Sequence, residues 1–168
     1  MAYLFRGRQS GRFHQDHRVR AVVQRVADCS VEVSGSVIGK IDRGLLVYLG
    51  VSGDDGWNDA DYLVNKIINL RIFEDYEGKV NRSITEMEGY SVLVVSQFTL
   101  LGDVRKGRRP SFSKAAPPEL GEGMYEYFLE KLLENGFPPQ HGSFGSMMNV
   151  TYTNLGPMTI LLDSKKLF

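Results

Sequence analysis

Two uninterrupted apolar runs constrain this chain most: LLVYLGVS at residues 45–52 and the VLVV core of SVLVVSQFTL at residues 91–100. A half-exposed strand alternates apolar and polar side chains, so a run without alternation reads as a strand covered on both faces. Neither run approaches the roughly 20 apolar residues needed to cross a bilayer. The covering elements are visible too. Trp57, Ala60, Leu63, Val64, Ile67 and Ile68 recur at helical spacing after SGDDG, which supplies turn and cap residues. PPELGEGMYEYFLEKLLENG (117–136) reads as a second helix, with proline in its first turn and an apolar stripe at Met124, Phe128, Leu129 and Leu132. Gly136 is its stop signal.

The remaining segments fit around that frame. RAVVQRV (20–26) and SVEVSG (30–35) read as a strand pair, GKIDRG as a turn-rich connector, and FEDYEGKVN as a turn. MMNVTYTN and MTILLD read as two short strands on either side of Gly156-Pro157. No repeat and no linker divides the chain. The expected fold is a single strand-rich α/β domain over residues 19–168, a mixed sheet covered by two main helices. Residues 1–18 show no period and read as a disordered tail, either a tag remnant or the result of a start assigned upstream of Val19.

Composition excludes some functions. One cysteine, Cys29, leaves no internal disulfide framework and fits a reducing cytoplasm. With three histidines, two of them in the tail, no metal site is expected and no cofactor motif is present. The leading residues lack the apolar core of a secretory signal, and no membrane association is expected. The formal net charge is zero, so a nucleic-acid partner would have to be held by a local basic patch.

Three stretches are polar or punctuated where a plain core would be neither. Ser96, Gln97 and Thr99 end a buried strand, a common home for active sites, although such groups also bond to neighbouring backbone. The one histidine beyond the tail, His141, sits in a distant Pro-Pro-Gln-His-Gly loop, so no base is evident to make Ser96 or Thr99 a nucleophile. DVRKGRRP (103–110) places Arg105, Lys106, Arg108 and Arg109 around one glycine, which suits a phosphate backbone or simply a solvated loop. Gly156-Pro157 reads as a hairpin corner or as a built feature, with a cis bond within reach of either reading.

Taken together, RAVVQRV, GLLVYLGV, LRIFED, VSQFTL, RKGRRPSF and NLGPMT resemble the D-aminoacyl-tRNA deacylase family of the bacterial and eukaryotic type, in family order and over nearly everything after Val19. The separation of SQFTL and N-x-G-P-x-T is the specific part. Met158 replaces the valine usual after Gly-Pro, and Leu155 replaces a polar residue. The resemblance implies hydrolysis of the ester joining a D-amino acid to tRNA, with glycyl-tRNA also a substrate and L-aminoacyl-tRNA rejected. It implies a homodimer built through the sheet region, with active sites at the interface. There SQFTL would face Gly-Pro of its own chain, and the partner's Gly-Pro would reach across.

By the same resemblance, Ser96, Gln97, Phe98 and Thr99 form the catalytic stretch. The backbone N–H groups around Phe98 and Thr99 would bind the oxyanion, and the tRNA 2′-OH would assist. Gly156, Pro157 and Asn154 would line the substrate, and Arg25 would orient the Gly-Pro carbonyls or make a surface ion pair. Met148 would pack on the adenosine or fill the core. Two rivals remain open: a nucleic-acid-binding module without turnover, and an esterase that does not use RNA.

Overall fold

The computed structural model describes residues 19–166; the tail assigned to residues 1–18 lies outside them. The main sheet has five strands, in the order β6-β5-β2-β1-β7. β1 (Arg20–Val33) and β2 (Ser36–Gly50) form a long antiparallel hairpin whose turn residues, Ser34 and Gly35, both lie at positive φ. RAVVQRV and SVEVSG are therefore not a strand pair. RAVVQRV and SVEV are successive parts of β1, Ser34-Gly35 is its turn, and the presumed GKIDRG connector lies within β2. The apparent break comes from Asp28, whose φ of 50° interrupts the pleat where the pairing with β7 shifts between Ala27 and Ser30.

β5 (Ser91–Ser96) pairs in parallel with β2, and β6 (Gln140–His141) in parallel with β5, so the sheet is mixed as expected. Parallel neighbours need a crossover. α1 (Trp57–Ile68) and the small hairpin of β3 (Phe73–Glu74) and β4 (Val80–Arg82) supply the first, and α2 (Pro118–Glu134) the second. The expected strand at residues 91–100 stops at Ser96, and Phe98–Leu101 form a 3₁₀ turn.

The apolar runs are buried on both faces. Leu45, Val47, Leu49, Val92 and Val94 join Leu63, Ile67, Phe128 and Leu132 of the helices in one cluster. Leu46, Leu93 and Val95 point the other way, into a second cluster with Val26, Cys29, Val31 and Ile41. Each such side chain contributes roughly 1.5–3 kcal/mol when fully buried, so the middle of the sheet is the most strongly held part of the fold. Burial pushes the Cys29 thiol up to about 11, which keeps it a neutral apolar group.

The two short C-terminal strands are one. β7 (Asn149–Asp163) runs antiparallel to β1 and forms an edge of the sheet. Gln24 faces Thr159 and Val26 faces Asn154, so Leu155, Gly156, Pro157 and Met158 all bulge opposite Arg25. Gly156-Pro157 is thus not a corner. A corner would reverse the chain, whereas a bulge frees proline from donating to the ladder and leaves the strand direction unchanged.

Candidate active site

β5 delivers Ser96 to the end of the sheet opposite Leu49, and Gln97 N–H donates to the Leu49 carbonyl at 2.8 Å. The chain then turns tightly. Leu100 N–H donates to Gln97 O at 3.2 Å and Gly102 N–H to Thr99 O at 3.0 Å. The amides of Phe98 and Thr99 precede the first of these bonds, so they stand at the amino end of the turn outside its own ladder. Phe98 is 56% exposed and packs edge-on against Phe112, with ring centroids 5.1 Å apart. The Thr99 hydroxyl accepts from the Gln97 side-chain amide. His141 is no base for it: this residue lies beside Val94, and its Nδ1 contacts the Gly142 carbonyl at 2.8 Å.

Two residues that sequence reasoning passed over hold this turn. Gly50 ends β2 directly beneath it. A Cβ there would lie 2.7 Å from Leu101 Cδ2, 2.9 Å from Gln97 O and 3.0 Å from Leu100 Cβ. The available signal was a glycine closing a buried strand, which often marks close approach of another backbone. Arg20 Nη1 donates to Leu100 O at 2.6 Å, and its Nε lies 3.8 Å from Asp163 Oδ2. One arginine at a strand start carries no such signal.

The Gly156-Pro157 peptide is cis, and Gly156 has a φ of 129°, in the region glycine tolerates. Asn154 straps the bulge. Its Oδ1 accepts from Met158 N–H at 2.8 Å, and its Nδ2 donates to Thr159 Oγ1 at 3.0 Å. Gln24 Nε2 reaches the same hydroxyl at 3.0 Å. Asn and Thr at the ends of N-x-G-P-x-T therefore close the bulge on itself. Arg25 backs it: Nε donates to Leu155 O at 3.1 Å and Nη1 to Ile72 O at 2.8 Å. Both partners are carbonyls, so the ion-pair alternative for Arg25 gives way to a brace between the bulge and the segment before β3. A cavity of about 550 Å³ opens beside it, lined by Arg25, Phe73, Glu74, Asp75, Tyr90 and Gly156 among others.

The structure does not bring the two stretches together within one chain. Gly156 is opposite Arg25, whereas Ser96 is level with Leu49 and, through it, Ala21. Four residues along a strand and three inter-strand steps put them on the order of 20 Å apart. The expectation that SQFTL faces its own Gly-Pro is therefore overturned, because β7 and β5 flank β1 and β2 on opposite sides.

In the basic loop, Asp103 and Ser111 exchange backbone bonds at 2.8 and 2.9 Å, fixing its neck. Arg105 Nε sits 2.9 and 3.1 Å from the two Asp103 carboxylate oxygens, and this guanidinium holds the carboxyl far below its usual range. Lys106, Arg108 and Arg109 are exposed, and among the described residues they form no ion pair. Met148 packs against the second core cluster, its sulfur close to Gly142. Among the described residues no three His, Cys, Asp or Glu side chains converge to hold a metal ion, and no helix is long and apolar enough to cross a membrane.

The sequence matches the family model described as D-Tyr-tRNA(Tyr) deacylase over residues 22–163. Proteins named D-aminoacyl-tRNA deacylase are 55% identical over 151 residues in Thermosipho melanesiensis and 54% identical over 150 residues in Clostridioides difficile. Each match covers 89% of this chain and 100% of the relative. Among solved structures, a c-Myc DNA Unwinding Element Binding Protein superposes with a TM-score of 0.80 at 45% identity, over 85% of this chain and 97% of that one. A probable eukaryotic D-amino acid tRNA deacylase gives a TM-score of 0.76 at 19% identity, over 87% and 99%, and shares the fold.

Proposed function

This chain belongs to the D-Tyr-tRNA(Tyr) deacylase family, and from that premise we propose how its two stretches act. It is a hydrolase that removes D-amino acids from tRNA by cleaving the ester to the terminal ribose. The observation that carries the reading is the match over residues 22–163, which spans both the turn and the bulge.

Water attacks the ester carbonyl, the carbonyl oxygen takes up negative charge, and the ribose oxygen leaves with a proton. The Phe98 and Thr99 amides are the donors for that oxyanion, being outside the turn's own bonds. Among the described residues the Thr99 hydroxyl meets the Gln97 amide and no side-chain base, and in this reading the ribose 2′-OH assists the attacking water. Ser96 and Gln97 carry and orient the turn.

Gly156 and Pro157 act as the stereochemical gate. Their peptide fills the space an L side chain would need, and the bulge, strapped by Asn154 and braced by Arg25, cannot yield. Glycine carries no side chain and passes the same gate, so glycyl-tRNA is a second substrate. A homodimer completes the site: the partner's Gly-Pro bulge enters beside the turn, which one chain alone keeps on the order of 20 Å away. In support, β7 is a long edge strand exposing Leu155 and Leu161, a surface that proteins ordinarily cover. Lys106, Arg108 and Arg109 meet tRNA phosphates, and the compartment is the cytoplasm, where charged tRNA is found.

Deacylation of D- and L-tyrosyl-tRNA tests this directly. Turnover of the D-ester alone is expected; equal rates on both would end the gate, and no rate on either would end the catalytic reading. The name of the structure at 45% identity favours a second reading, a nucleic-acid-binding module. That reading gives salt-sensitive binding without ester cleavage.

A further inference from the structure

Immediately beyond the catalytic turn lies a cavity of about 290 Å³ whose walls include Arg20, Gly102, Asp103, Arg105 and Lys114. Arg20, Arg105 and Lys114 bring three cations to these walls; Arg105 engages Asp103, and Arg20 lies 3.8 Å from Asp163 Oδ2 behind the turn. A neighbouring cavity bordered by Asp103, Arg105, Lys106 and Ser111 shares this cationic character, whereas two others are acidic. The one beside Gly156 sets Arg25 against Glu74 and Asp75, and the groove along α2 carries Glu122 and Glu126. Cationic side chains thus gather at the Leu101–Gly102 end of the turn and continue into the basic loop. Arg20 also ties the two features together, because the guanidinium that lines the cavity donates to Leu100 O within the turn.

We infer that this cavity is a phosphate subsite, and that it takes the 5′-phosphate of the same terminal nucleotide whose ribose carries the ester. The inference rests on the catalytic role proposed for the turn. At a 3₁₀ rise of about 2 Å per residue, Gly102 on the cavity wall is about 6 Å along the turn from Thr99. A ribose bridges a gap of that order between its esterified oxygen and its own phosphate. The chemistry of the walls suits the ligand. Arginine presents several N–H donors in a plane and lysine a mobile point charge, and both strengthen when the acceptor is an anion. At Gly102 the wall packs closely on the turn, since a Cβ there would meet Thr99 O at 3.0 Å and the Phe112 ring at 3.1 Å. The exposed loop at Lys106, Arg108 and Arg109 continues from the same wall, because Asp103 and Arg105 also border a cavity with Lys106, and it suits phosphates further along the strand.

A pair of substrates differing by one phosphate isolates the subsite: 3′-D-tyrosyl adenosine and 3′-D-tyrosyl adenosine 5′-monophosphate. The native chain should show a kcat/KM about tenfold higher on the phosphorylated ester, chiefly through a lower KM. Lys114 is exposed, so Lys114→Gln should fold normally and reduce that advantage below about threefold. Arg20→Gln should reduce it as well, and should also lower kcat on both esters because the turn loses its anchor. Equal kcat/KM on the two esters in the native chain, or an advantage undiminished in Lys114→Gln, would overturn the subsite while leaving the deacylase reading intact. Hydrolysis of neither D-ester would overturn both.

Discussion

Gly50→Ala tests whether the turn at Phe98–Leu101 is held by contact from below. Gly50 is well suited because its φ lies outside the left-handed region, so alanine brings no backbone penalty of its own. Everything follows from one methyl group. Ordinary contact begins near 3.4 Å, and the new Cβ would sit 2.9 Å from the Gln97 carbonyl oxygen. Leu101 can rotate its Cδ2 away, but a backbone carbonyl in the turn cannot, so the turn must lift by about 0.5 Å. Overpacking of this kind costs about 1–3 kcal/mol of stability. A misplacement of about 1 Å can cost a hundredfold in rate, so half that distance should lower kcat on D-tyrosyl-tRNA about tenfold. KM should change little. Single-turnover deacylation, run beside urea denaturation, separates the two effects. A variant that folds with native stability and native kcat would refute both the contact and the role given to the turn. Native kcat with lowered stability would refute the role alone.

Other residues give sharper contrasts. Thr99→Ala should keep activity within about tenfold of native, since its hydroxyl meets an amide rather than a base; loss of more than a thousandfold would restore a nucleophile. Asn154→Ala removes the acceptor for Met158 N–H and should cost about 1 kcal/mol. It should also raise hydrolysis of L-tyrosyl-tRNA relative to D, and unchanged selectivity would remove the strap from the gate. Asp55 is buried beside Asp59 and Asp163, and burial lifts its carboxyl from 3.8 to about 7 although Ser52 N–H bonds to it. The folded chain therefore binds this proton more tightly than the unfolded chain, so Asp55's contribution to stability should fall as pH rises from about 4 to 7. Asp55→Asn should flatten that slope in urea titrations, and an unchanged slope would remove Asp55 as its source.

Periodicity made the covered strands and both helices legible, with the stop signal of the second, because burial on both faces and a 3.6-residue repeat are local properties of the chain. It misread β1 as two strands because a single positive-φ residue, Asp28, breaks alternation as a turn would. It misread β7 for a related reason. Proline and glycine mark a departure from the ladder, but whether the chain then reverses or continues depends on the partner strand. That partner is β1, more than a hundred residues away in sequence. Gly50 and Arg20 escaped notice because their neighbours in the turn arrive from residues 97–101.

By itself the sequence determined the fold class and the family, since each rests on short-range pattern or motif spacing, and it singled out the two stretches proposed as the site. NLGPMT and SQFTL are visible as strings. Tertiary structure alone decided what they are: a cis bulge strapped by Asn154 and braced by Arg25, and a 3₁₀ turn seated on Gly50 and anchored by Arg20. It also decided that they lie apart, because the strand order sends β5 and β7 to opposite sides of the β1–β2 hairpin. Strand order is fixed by how the helices and both apolar clusters pack together, and no local pattern encodes it.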